Sequence, residues 1–108
     1  MFDSIDAIKD FKQIVNYKKE STCIILNVEA VVNGVIVYQG NTDCKIFYDA
    51  GYEQYEVNVN WNISDEVMSN LGLHGSYNTN YQKMKTENNS LFIVGDNYCI
   101  KLSKYEKG

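Results

Sequence analysis

The stretch that decides the fold is Tyr55-Glu56-Val57-Asn58-Val59-Asn60-Trp61-Asn62-Ile63. Its apolar and polar residues alternate without a break. A period of two places Tyr55, Val57, Val59, Trp61 and Ile63 on one face of a β-strand and Glu56, Asn58, Asn60 and Asn62 on the other. The apolar face requires cover, and the polar face is left for water or a partner. The rest of the chain reads as strands that pair beside this one, and helices that cover it.

Upstream, residues 21–32 form the longest β-like run, with Ile24, Leu26, Val28, Ala30 and Val32 on one face and Cys23, Ile25 and Val31 on the other. Asn33-Gly34 is the strongest short-range signal for a hairpin. Val35–Gln39 returns from it, Gly40-Asn41 reads as a further turn, and Cys44–Tyr48 reads as a third strand. Ala50-Gly51 then leads into the strand of residues 52–63. Ahead of this meander, residues 3 to about 18 have helical spacing. Ile5, Ile8, Phe11 and Val15 make the apolar stripe, Asp6, Lys9, Gln13 and Asn16 fall opposite, and Asp3 or Ser4 serves as the cap.

Downstream, Ser64-Asp65-Glu66 starts a short second helix that ends at Gly72. Residues 72–90 are the least patterned and read as a long loop, with a short strand at 81–86 and a turn at Thr86–Ser90. Leu91–Val94 and Tyr98–Ser103 form a hairpin around Gly95-Asp96-Asn97, with Tyr98, Ile100 and Leu102 facing in. Lys104–Gly108 reads as a solvated tail. The expected fold is a single α+β domain over 1–108: an antiparallel sheet of five to seven strands (meander 21–63 plus C-terminal hairpin 91–103), covered by an N-terminal helix, with a short second helix at 64–71. A helix followed by a four-stranded meander is similar in topology to the cystatin fold, and topology carries no function with it.

Composition narrows the function. A hydrophobic fraction of 44% in 108 residues supports a core. No apolar run approaches the roughly 20 residues that span a bilayer. No basic-then-apolar leader opens the chain, so the expected compartment is the cytoplasm and no membrane partner is expected. Cys23, Cys44 and Cys99 are odd in number and lack CxxC spacing, which points to buried free thiols in strands. Proline and arginine are absent, and all ten basic residues are lysine. With abundant Asn, Ile, Lys and Tyr, this bias fits an AT-rich genome, such as those of some low-GC bacteria and their phages. Without arginine the chain lacks the bidentate fork that reads phosphate and guanine, so direct nucleic-acid recognition is not expected.

The acids are concentrated. Residues 20–82 hold Glu20, Glu29, Asp43, Asp49, Glu53, Glu56, Asp65 and Glu66 against Lys45 alone, in a chain of net charge −4. Nine tyrosines accompany them, with Tyr48, Tyr52 and Tyr55 close together. Tyrosine gives contact area at low entropic cost, which suits interfaces. Asp43, Tyr48, Asp49, Tyr52, Glu53, Glu56, Asn58 and Asn60 are therefore the expected partner-binding residues, facing a protein with a basic surface. A small acidic chain of this kind is similar in type to anti-CRISPR and other anti-defence proteins, and to immunity proteins that neutralise nucleases. The resemblance implies an inhibitor, encoded by a phage or mobile element, that blocks a host defence or nuclease-type enzyme.

Two other classes stand beside this reading. The first is a small-ligand binder, for a nucleotide or signal molecule, with the helix and curved sheet enclosing a pocket lined by Trp61 and tyrosines. The second is a small enzyme using the only histidine, His74, with Cys44 or Cys99. His74 lies in Gly72-Leu73-His74-Gly75-Ser76, a segment suited to a surface loop. Asp43, Asp49 and Glu53 lack the spacing of a calcium loop, and no phosphate-cradling motif is present. No catalytic residue, metal or cofactor is expected. Oligomeric state is left open.

Overall fold

The computed structural model describes residues 4–17 and 22–105. Asn33 and Gly34 both take left-handed backbone, with φ of 51° and 81°. A two-residue turn of this hand matches the twist of the strands it joins. They connect β1 (Ile24–Val32) to β2 (Val35–Asp49). A tight turn then leads to β3 (Gln54–Val59). After the helix α2 (Asp65–Leu71) come β4 (Ser76–Asn78), β5 (Lys83–Glu87), β6 (Ser90–Val94) and β7 (Tyr98–Lys104). The seven strands form one antiparallel sheet in the order β4-β3-β2-β1-β7-β6-β5, curled into a half-barrel. The α+β class, the strand number and the covering helix agree with the sequence pattern.

The sheet departs from that pattern in three places. The expected second and third strands are one strand of 15 residues, running straight through Gly40-Asn41. Across from them β1 offers a ladder as far as Ile24↔Cys44, and Asn27 Nδ2 donates to Asn41 Oδ1 at 3.0 Å. That long-range pairing overrides the local turn preference. The turn before β5 contributes β4, whose Tyr77 is fully buried. The deciding strand ends at Val59 rather than Ile63. Its alternation continues in burial, however: Trp61 is buried, while Asn60 and Asn62 are exposed.

The concave face holds the core. Leu26, Val28 and Ala30 of β1, Ile46 of β2, Val57 of β3, Leu91 and Ile93 of β6, and Ile100 and Leu102 of β7 are fully buried there. The helix α1 (Ser4–Ile14) adds Ala7, Ile8 and Phe11. It is shorter than the spacing predicts, because Asn16 turns the chain at φ 58° and sends Tyr17 back beneath it. Asp3, the other expected cap, and Lys18, at the expected helix end, lie outside the described residues, as does Glu20.

Ser4 does more than start the helix. Its hydroxyl donates to the Gln82 carbonyl and accepts from the Met84 N–H, each at 3.2 Å. Thr86 Oγ1 donates to the Ala7 carbonyl at 2.7 Å. The exposed edge of β5 is thereby blocked against pairing with another chain. At the second helix, Ser64 Oγ accepts from the Val67 N–H at 3.3 Å, and Gly72 at φ 74° closes the end, as its sequence predicts.

Candidate functional site

Strand parity sorts the expected binding residues between two faces. On the convex face β2 presents Asp43, Lys45, Phe47 and Asp49, and β3 presents Glu56 and Asn58. Register sets Lys45 opposite Asn58 and Phe47 opposite Glu56. Asn60 follows in line, its N–H bonded to the Asp43 carbonyl at 2.9 Å. Glu56 is held by β4, accepting from Ser76 Oγ at 3.2 Å. Asp49 accepts from the N–H groups of Gly51 and Tyr52, at 2.9 and 3.3 Å. That turn leaves Tyr52 74% exposed at its tip, with Glu53 beside it in left-handed backbone.

Tyr48 does not join this face. It shares parity with Cys44 and Ile46, on the concave side, where its ring meets Tyr55 at 4.9 Å. On β2 and the turn that follows it, the aromatic members of the convex face are Phe47 and Tyr52. Phe47 was legible from parity alone, since it lies two residues before Asp49. Lys45 was also legible and interrupts the acidity. Its ammonium sits over the Phe47 ring, 5.5 Å from the centroid. Asp43 and Asp49 are six residues apart, about 20 Å along an extended strand. The face is thus two acidic ends around an amide and aromatic centre, not a regular ladder of carboxylates.

The other acids are dispersed. Glu29 lies on β1, accepting from Gln39 Nε2 at 3.1 Å and facing Lys101 of β7. Asp65 and Glu66 occupy the first turn of α2. Farther along the convex face, β5 and β7 present Lys83, Lys85 and Lys101. Lys85 pairs with Glu87 at 2.8 Å, which lowers the Glu87 carboxyl below its ordinary range.

The cysteine–histidine arrangement is not assembled. His74 is exposed and lines a polar cleft of about 400 Å³ with Tyr81, Lys83, Asp96 and Tyr98. Neither Cys44 nor Cys99 lines it. Cys44 is buried on the concave side, and burial, reinforced by Asp43 and Cys23, pushes its thiol up to about 12. Cys99 lies opposite Val31 and Val94 on the convex side, and burial raises its thiol too. Cys23, expected to be buried in a strand, instead precedes β1 and is exposed. Among the described residues no group of three His, Cys, Asp or Glu side chains could hold a metal ion, and no helix is long and apolar enough to cross a membrane.

Trp61, expected in a ligand pocket, is committed to packing. Its ring meets Tyr38 edge-on at 5.1 Å, and its Nε1–H donates to the His74 carbonyl at 3.0 Å. No protein-family model, curated protein or solved structure matches the chain.

Proposed function

We propose that this chain is a small protein-binding inhibitor that docks the convex face of β2 and β3 onto a basic surface of its target. One observation supports the reading: Asp43, Asp49 and Glu56 share a sheet face with Asn58, and among the described residues no helix covers that face. Asp43 and Asp49 at its two ends, with Glu56 between them, steer a cationic partner into place, and Phe47, Asn58 and Asn60 supply contact and hydrogen bonds. Tyr52 and Glu53 extend the surface at the turn. The proposed setting is cytoplasmic, in a phage or mobile element of a low-GC host, with a defence or nuclease-type enzyme as target. No catalytic step is assigned to the chain.

The test is affinity capture from a low-GC bacterial lysate at low and high ionic strength. It compares the natural chain with the triple variant Asp43→Lys, Asp49→Lys, Glu56→Lys. The expected result is a basic enzyme retained by the natural chain, released by salt and lost with the triple variant. The purified target should also lose activity when the chain is added. Equal retention by both chains would overturn the reading.

A further inference from the structure

The polar side of α1 does not simply face water. Lys9, Lys12, Gln13 and Asn16 recur at helical spacing along one strip. Together with Tyr17 and Tyr55 they line an open recess of about 420 Å³ between the helix and the start of β3. That volume lies in the range of small-molecule sites. The described lining residues are two lysines, two amides and two tyrosines.

The recess is built rather than incidental. The left-handed Asn16 returns Tyr17 beneath the helix, and the Tyr17 N–H bonds the Lys12 carbonyl at 2.8 Å. The Tyr17 hydroxyl donates to the Thr22 carbonyl and accepts from the Ile46 N–H, so its ring is fixed against β2. Tyr55 is braced by Tyr48. The Lys12 ammonium lies 5.9 Å from the Tyr17 ring centroid and 5.4 Å from that of Tyr55, within cation–π range of both. Lys9 stands exposed at the rim, one helical turn away.

We infer that this recess binds a small phosphorylated molecule carrying a flat ring, of the nucleoside monophosphate class. Lysines at i and i+3 meet a phosphate as two point charges. The Gln13 and Asn16 amides offer donors and acceptors to a sugar or base edge. The tyrosine rings form the apolar walls against which a flat ring lies. The site is on the concave side of the sheet and uses none of the residues proposed for the protein partner.

Adenosine monophosphate is the probe, titrated into the isotope-labelled chain and followed by amide NMR. The expected result is a saturable shift at Lys9, Lys12, Gln13, Asn16 and Tyr55 in the millimolar range. Adenosine alone and inorganic phosphate alone should each bind at least about tenfold more weakly. Lys9→Glu, at an exposed position, should weaken binding at least about fivefold while leaving the folded spectrum intact. The acid-to-lysine triple variant should still bind the nucleotide, which separates this inference from the one about the partner. Absence of saturable shifts, unchanged affinity in Lys9→Glu, or phosphate binding as tightly as the nucleotide would each overturn it.

Discussion

The two sides of α1 meet the sheet differently. Toward β5 the helix is pinned: Ser4 bridges Gln82 and Met84, and Thr86 reaches the Ala7 carbonyl. Toward β3 it stands off, and Lys9, Lys12 and Gln13 look across a gap to Tyr55. The same eleven-residue helix is therefore a fastening along one flank and the wall of a recess along the other. A single helix laid in a half-barrel cannot fill both flanks equally. The flank it fills secures an exposed strand edge, and the flank it leaves open is where a ligand can enter.

Phe11→Ala probes what the two flanks share. Its side chain is fully buried between them, so truncation is expected to cost about 3–5 kcal/mol by chemical denaturation. A cost under about 1 kcal/mol would mean that the helix is an appendage, and the contrast between its flanks would lose its meaning.

Ser4→Ala and Thr86→Val sharpen the contrast by acting on the pinned flank alone. Each removes side-chain hydrogen bonds to the backbone, and each is expected to cost about 1–2 kcal/mol. Ser4→Ala also frees the β5 edge, so it should raise the concentration dependence of aggregation measured by light scattering. Losses matched by Lys9→Glu on the open flank would erase the difference.

The smallest expected effect concerns the depth of the gap. Cys44 lies on the concave side of β2 and keeps its proton up to about 12, against an ordinary 9.0. Ionisation in that interval favours the unfolded chain. Its contribution to stability is full below about pH 9 and falls as the pH rises toward 12. At about pH 8 a thiol reagent should label exposed Cys23 first, then Cys99, with Cys44 reacting only on global unfolding. Rapid labelling of Cys44 would show that the opening reaches the sheet itself.

Much of this fold was readable from residues that act locally. The alternation of residues 55–63, the Asn33-Gly34 turn, and the Ser64 and Gly72 ends of α2 are each set by their own few neighbours. What escaped depends on distant partners. Gly40-Asn41 is a turn by composition and a strand by virtue of Asn27 on the facing strand. Tyr77 looks like loop decoration until β3 is found beside it. At the candidate site, parity was sufficient to separate Tyr48 from Asp49 and to add Phe47 and Lys45. The charge tally passed over this alternation. The recess was not legible, because it needs the polar strip of α1 to lie over Tyr55, and no spacing rule connects residues 9–17 with residue 55.

The place of β7 bears on how the chain is made. It follows the other six strands in sequence, yet it pairs with β1, the first of them, through contacts such as Leu26↔Lys104. The strand that joins the two wings of the sheet, β7, is therefore the last of the seven to be made. Until then β1 presents an open edge, and Leu26, Val28 and Ala30 lack the neighbour that completes their cover. Closure of β1 on β7 is consequently late in chain order, and such long-range closure is slow and exposed to mispairing. A nascent chain stalled before Tyr98 holds two half-sheets with no seam, a natural target for chaperones and proteases.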